Sequence, residues 1–290
     1  MILSALKRIF FYKFHVIPFV NPFIGLQISL LGDFPGVTES KREVPIIISL
    51  TSYEGRFREL PITLYSLLNQ SLKPDRIILW LSEDFKEINA LPYDITQFIK
   101  NGLEIRFVKD IGSYTKVIYA FKEFSESIIV TADDDIYYPK DWLKKLYLSF
   151  IAHPDDIQVH RAHRADLNRK YNDWEKHIKE ESALYENFLT GVGGVLYPPN
   201  CFSKEVLRED IFLKQAPTCD DVWLWVMALV NKRKIRIVKN YIKTLMHINI
   251  FKQLFSKNLY KKNIQGLNDE QLENLLKYYG ENVKNKLNDF

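Results

Sequence analysis

Between residues 45 and 132 the chain sets short, β-branched apolar runs against stretches of helical apolar spacing, and few folds accept that rhythm. Pro45 to Thr51 is a continuous run of the kind that strands buried on both faces require. Arg56 to Gln70 then places Phe57, Leu60, Leu64, Leu67 and Leu68 on one helical face, with Pro61 tolerable only in a first turn. Arg76 to Leu81, Leu103 to Val108 and Ser127 to Ala132 repeat the strand signature, and Tyr93 to Lys100 and Tyr114 to Phe124 the helical one. The alternation implies an α/β fold: a mostly parallel sheet flanked by helices.

The last of these strands runs straight into Asp133, Asp134 and Asp135. Open α/β sheets bind ligands in the crevice beyond the carboxyl ends of their strands, which is where these carboxylates fall. Three adjacent aspartates repel one another, so they need a compensating cation or a fully solvated loop. In an extended segment Asp133 and Asp135 share a face with Cα atoms roughly 6 to 7 Å apart, close enough to hold one hard divalent metal. Such an ion completes its shell with water and substrate phosphates, which points to a diphosphate-bearing substrate. The alternative is an acidic turn capping the helix that starts near Pro139.

Beyond the aspartates the rhythm changes. Pro139 to Ala152 reads as an amphipathic helix, Ile157 to Arg161 as a strand, and Ala165 to Glu181 as polar and weakly patterned. A glycine-rich turn, Thr190 to Gly194, leads into Val195 to Tyr197. Asp220 to Asn231 forms a tryptophan-rich helix, Ile235 to Val238 a last strand, and a terminal helix starts at Asp269.

The chain has 290 residues, 47% hydrophobic and 26% charged, so it can bury a sizeable core. A net charge of +4 is too mild to argue for nucleic acid, although it suits an anionic donor or membrane surface. Cys201 and Cys219 are the only cysteines and make no zinc spacing, which suits a reducing, cytoplasmic setting. Three segments are expected: an aromatic and basic arm (1–40), a catalytic domain (41–245) and a basic helical tail (246–290). In the arm Phe10, Phe11, Tyr12, Phe14, Phe19 and Phe23 interleave with Lys7, Arg8 and Lys13, while Pro18 and Pro22 break any spanning helix. It reads either as a peripheral contact with the inner face of a membrane or as a surface packed on the domain or on a second subunit of a homodimer.

Five blocks together resemble the GT-A fold glycosyltransferases of the broad family 2 type, with local similarity to the exostosin-like hexosaminyltransferases around the aspartates. They are Ile48 to Tyr53 with Arg56, Ser113 to Lys116, Ala132 to Ile136, Thr190 to Val195, and Cys219 to Trp223. The resemblance implies a GT-A sheet and a nucleotide-diphospho-sugar donor, a UDP-sugar first. It places Thr51, Ser52, Tyr53 and Arg56 at the nucleotide, and hydroxyls and a guanidinium at a strand end do suit an anionic ligand. Lys116, near a helix start, would face the diphosphate. Asp135 would coordinate Mn2+ or Mg2+, with Asp133 on ribose, sugar, metal or its water, Asp134 in support, and His247 after the last strand as a further metal ligand. Gly191, Gly193 and Gly194 would let main-chain amides approach the donor, or simply turn the chain into a strand. Asp221 would be the general base of an inverting transfer, with Asp220 as cap or sugar ligand, or the pair reversed. His160, His163, Arg164 and Trp174 lie where acceptor specificity is usually shaped.

The implied activity is a single, metal-dependent, inverting addition of a sugar to a hydroxyl of a glycan or lipid-linked glycan, as in surface polysaccharide or lipooligosaccharide assembly. The Gln/Arg-x-x-Arg-Trp motif of processive members is absent from the sequence. Two rival readings remain at this level: a nucleotidyltransferase or phosphohydrolase using the same aspartates, and a non-catalytic glycan-binding subunit.

Overall fold

A computed structural model describes residues 34–239, 241–242, 246–248, 266–280 and 283. The aromatic arm up to residue 33 and most of the tail lie outside the described residues. Among those described, no helix is long and apolar enough to cross a membrane.

The four expected strands form as β1 (Ile46–Thr51), β2 (Arg76–Ser82), β3 (Leu103–Val108) and β4 (Ile128–Thr131). They pair in parallel in the order β3-β2-β1-β4. Their connections carry α1 (Leu60–Leu68), the single turn α2 (Tyr93–Thr96) and α3 (Thr115–Glu123). The chain therefore steps outward from β1 to β3 and returns to lay β4 on the other side of β1. That reversal opens a crevice at the carboxyl ends of β1 and β4, the ligand position of open α/β sheets.

Alternation along the strands splits the core into two layers. Ile46, Ile48 and Leu50 of β1 pack with Leu60, Leu64, Leu67 and Leu68 of α1, while Ile47 joins Trp80, Val117 and Ala120 on the α3 side. Ser49 is the polar exception on that second face, and it is fully buried.

After β4 come β5 (Ile136–Tyr137), α4 (Trp142–Ala152), β6 (Ile157–Val159), β7 (Ala162–Arg164), β8 (Ala183–Leu184), β9 (Asn187–Leu189) and β10 (Val195–Tyr197). Then follow α5 (Glu209–Gln215), α6 (Asp220–Val230), β11 (Ile235–Ile237), β12 (Met246–His247) and α7 (Asn268–Tyr279). β10 runs antiparallel between β4 and β6, and β11 and β8 complete an eight-stranded sheet.

Several boundaries differ from expectation. Residues 54–56 form a 3-10 turn instead of the start of a helix, and α1 opens only at Leu60, with Pro61 in its first turn. That frees Arg56 from a helical face. The strand expected through Arg161 ends at Val159, and β7 turns away to pair with β9. The segment at Ile235 is not the last strand: Met246 and His247 pair with Tyr137 and Ile136.

Candidate active site

The crevice is walled on one side by the end of β1. Thr51 Oγ1 donates to the Trp80 carbonyl at 2.9 Å, and Ser52 Oγ donates to Asp134 Oδ2 at 2.6 Å. Tyr53 stands exposed, its ring packed over Gly55, where an added Cβ would lie 2.6 Å from the ring edge. Arg56 forms an ion pair with Asp135 Oδ2. Burial works against the Arg56 charge, but Asp135 and Asp134 outweigh it and hold the guanidinium protonated.

Each aspartate of the run thus meets a different element. Asp133 Oδ1 accepts from Lys116 Nζ at 2.7 Å, and the Asp133 amide donates to the buried Tyr138 hydroxyl at 2.8 Å. Asp134 is pushed up to about 6 by burial, against the Ser52 hydrogen bond and the Arg56 charge. Thr63 Oγ1 fixes the turn from below, at 2.9 Å from the Asp134 carbonyl and 3.0 Å from that of Ile136. β12 fixes it from the side: the Ile248 amide donates to the Asp135 carbonyl at 2.9 Å. His247 is thereby brought beside the run. Burial lowers its pKa, opposed by the nearby Asp135 and Asp133 charges.

Lys116 joins this cluster to a second one. It is the second residue of α3, after a 3-10 turn at Gly112–Tyr114. Its main chain is held by Ser49, whose buried hydroxyl donates to the Lys116 carbonyl and accepts from Trp80 Nε1 at 2.7 Å. Its ammonium, besides bonding Asp133, lies 3.4 Å from Asp220 Oδ2. That approach is Coulombic without hydrogen-bond alignment, because the same oxygen is buried with no hydrogen-bond partner. Asp220 opens α6 but caps nothing: Cys219 is the N-cap residue, without a side-chain cap. The expectation that Asp220 serves as the cap is therefore corrected.

Asp221 accepts from the Gly191 amide through Oδ1 at 2.9 Å. Its carboxyl is pushed up to about 8, chiefly by burial and then by Asp220, with Lys116 pulling the other way. One ammonium thus serves three carboxylates, and the surplus negative charge favours a proton on Asp221.

The glycine loop makes a structural turn, one of its two expected readings. Gly193 and Gly194 have positive φ, 107° and 92°, which L side chains rarely adopt. The Gly194 amide bonds the Gly191 carbonyl within the loop, and Trp142 Nε1 donates to the Gly193 carbonyl at 2.7 Å. A Cβ at Gly194 would sit 2.5 Å from the Trp142 ring. These two glycines shape a turn against Trp142. Gly191 is the one that reaches the site: a Cβ there would lie 2.9 Å from Asp221 Oδ1 and 3.3 Å from Lys116 Nζ. Both obstacles are ends of flexible side chains, so Gly191→Ala should fold with nearly unchanged melting temperature yet displace the carboxylate. Misplacing a catalytic group by even 1 Å costs up to about a hundredfold, so on the expectation that Asp221 is the base, steady-state kinetics on the folded variant should show a loss of at least about tenfold in kcat.

The acceptor-side candidates are mostly buried. His160 lies 3.1 Å from the Trp142 carbonyl, and His163 and Trp174 pack in an aromatic cluster with Tyr171 and Phe188. Burial lowers both histidines, His160 to about 4 and His163 to about 3, so they stay neutral. Arg164 pairs with Glu180 at 3.3 Å.

Among the described residues no three His, Cys, Asp or Glu side chains converge as a ready cage for a metal. Mg2+ and Mn2+ ask for less when a diphosphate shares the shell: one or two carboxylates suffice. Asp135 and Asp133, with His247 in electrostatic reach of both, meet that requirement. Lys116 and Arg56 currently supply the cations for these two aspartates.

The family model described as glycosyl transferase family 2 matches residues 48–213, more than half of the chain. The chain belongs to glycosyl transferase family 2. That membership favours the transferase reading of the sequence over its two rivals. No curated protein matches the chain. Among solved structures, the crystal structure of S. aureus TarS 1-349 in complex with UDP is similar at 14% identity and a TM-score of 0.44, covering 67% of this chain and 57% of that one. The structure of S. aureus TarS 1-349 gives 15% and 0.48, with 81% and 72% covered. The complex of S. aureus TarS 1-349 with UDP-GlcNAc gives 17% and 0.43, with 67% and 55% covered. The family match spans β1 to α5 and stops short of Asp220, Asp221 and His247.

Proposed function

We infer that this family 2 chain is a glycosyltransferase that carries out a metal-dependent, inverting transfer from a nucleoside diphosphate sugar, a UDP-sugar first, to a hydroxyl of a glycan or lipid-linked glycan. The observation that carries the reading is Lys116, whose buried ammonium ties the strand-end aspartate Asp133 to the carboxylates Asp220 and Asp221. A donor seated at the aspartates and an acceptor seated at Asp221 would meet across that one side chain.

In the transfer, Asp221 takes the proton of the acceptor hydroxyl as that oxygen attacks the anomeric carbon. The bond from that carbon to the diphosphate breaks on the opposite face, and the nucleoside diphosphate leaves with the electron pair. Arg56 and Lys116 face the growing negative charge of the leaving group. Thr51, Ser52 and Tyr53 line the nucleotide end of the crevice. Asp135 and Asp133, aided by His247, would hold Mg2+ or Mn2+, which supplies Lewis-acid stabilisation of the departing diphosphate.

The test is nucleoside diphosphate release across a panel of nucleotide sugars, with Mn2+, Mg2+ or a chelator. Release from a UDP-sugar should rise with metal, and Asp135→Ala should abolish the metal-stimulated part. Full wild-type turnover in chelator would remove the metal from the mechanism. Presenting one glycan both free and lipid-linked in anionic vesicles tests peripheral action at the cytoplasmic face of a membrane: faster turnover on the vesicles is expected, and equal rates would argue for a soluble acceptor.

A further inference from the structure

The C-terminal helix α7 reads from sequence as part of a basic tail, yet its first turn reaches two segments that flank the site. Gln271 is almost fully buried. Its Oε1 accepts from the Thr218 amide at 3.0 Å, and its Nε2 donates to Thr218 Oγ1 at 3.0 Å. Thr218 lies in the turn at 216–219 that delivers Asp220 and Asp221. On its other side this turn is held by the Tyr114 hydroxyl, which donates to the Ala216 carbonyl at 2.5 Å and to that of Cys219 at 3.2 Å. Tyr114 is two residues before Lys116, so donor side and tail grip the same turn from opposite directions.

One residue pair earlier in α7, Asp269 Oδ1 accepts from the Tyr171 amide at 2.6 Å. Tyr171 belongs to the irregular loop at 165–181. That loop packs on the helix of the proposed base through Trp174 and Trp225, 6.1 Å between ring centroids. Leu272 and Leu275 anchor α7 in the core shared with α6. Asp269 and Gln271 are the polar residues of its first turn that leave the helix to hold other backbone.

We propose that α7 is a brace of the active site: Gln271 and Asp269 are positioning residues that lock the base-bearing turn and the 165–181 loop into one unit. The proposal rests on the reading of Asp221 as base, or of Asp220 in its place. A half-buried N–H stripped of its acceptor is costly until it finds another, which favours a shift of the turn when Gln271 is lost. A shift of tenths of an ångström at Thr218 is passed to Asp221 three residues on.

The experiment uses the full chain with Gln271→Leu, Gln271→Glu, Asp269→Ala and Leu275→Ala, all assayed below their melting temperatures. Leu275→Ala destabilises the same helix while leaving the Gln271 and Asp269 hydrogen bonds in place and sets the baseline for a merely structural role. UDP release from the UDP-sugar that the wild type hydrolyses fastest should show kcat down about tenfold or more in Gln271→Leu, with donor KM unchanged. Gln271→Glu keeps an acceptor for the Thr218 amide and should restore most of kcat. Hydrogen exchange read by mass spectrometry should rise in both 216–219 and 165–181 for Gln271→Leu and for Asp269→Ala, and in neither for Leu275→Ala.

Exchange that rises only in the loop whose bond was cut would overturn the brace, as would a Gln271→Leu enzyme with wild-type kcat. Asp221→Asn run alongside separates the two readings. If it retains wild-type release while Gln271→Leu loses it, Asp221 is not the base and the brace acts through Asp220. If Asp221→Asn is inactive and Gln271→Leu is not, only the brace fails.

Discussion

Asp221→Asn is expected to lose between about a hundredfold and ten-thousandfold of kcat for transfer, the range over which a positioned general base contributes. The amide keeps the size of the carboxylate and can still accept from the Gly191 amide, so the loop holds and donor KM stays near that of the wild type. The pH dependence carries the signature. In the wild type Asp221 is pushed up to about 8, mainly by burial and by Asp220. It acts as a base only once deprotonated, so kcat/KM should climb with pH through that value, and Asp221→Asn should lack this limb. Asp220→Asn removes a like charge and should move the limb lower.

The same shift has an opposite consequence for stability. Between the ordinary value of 3.8 and about 8 the native state holds a proton on Asp221 that the unfolded chain has released. Stability from this group is therefore complete below the lower value and is lost as pH rises through the upper one. Thermal melts of wild type and Asp221→Asn should run close together in acid, with the variant's advantage opening as pH rises between those two values and full above about pH 8. A variant that is less active but more stable in base is the expected mark of a half-buried carboxyl kept for chemistry.

How much of this was legible in the sequence depends on how far apart the partners are. β1 to β4 could be read because their runs are rich in Ile, Val and Leu, and the aspartates could be read because they break such a run. β5, β7, β8, β9 and β12 have two or three residues each, too few to show a period, and exist because neighbouring backbone pairs with them. The loop at 165–181 has no pattern of its own: Trp174 Nε1 holds it by donating to the Asp166 carbonyl at 2.8 Å. Asp220 looked like a cap because an aspartate opening a helix usually is one; the chain spends it on Lys116 instead. Ser49 was a visible signal, a hydroxyl inside an apolar strand that burial obliges to find partners. Its partners, Trp80 and the Lys116 carbonyl, lie too far along the chain for spacing to reveal them. The same holds for Lys116 and Asp220, which meet across far more chain than any helical or strand period spans.

Lys116→Met should be the most damaging single change in the site for folding. Lys116 and Asp220 have side chains only 11% and 10% exposed, so the ammonium and its partners are largely withdrawn from water. Removing one member of a buried ion pair leaves the other uncompensated, at a general cost of about 3 to 5 kcal/mol. Here Asp133, Asp220 and Asp221 would face one another without a cation. The Asp221 carboxyl, which Lys116 now holds down, would rise further, so the variant should be least stable in base and recover toward acid. Urea melts at two pH values measure this directly. Lys116→Arg should not substitute well, because a planar fork cannot reproduce one compact charge set among Asp133, Asp220 and the Gly191 backbone. Adding Asp133→Asn to Lys116→Met removes one of the stranded charges and should return part of the stability, giving a coupling energy well above the error of a double-mutant cycle. It should return none of the turnover, since the donor has then lost both its lysine and its aspartate. Simple additivity of the two stabilities would mean that Lys116 is held by packing alone, and that the bridge between the two carboxylate clusters is incidental.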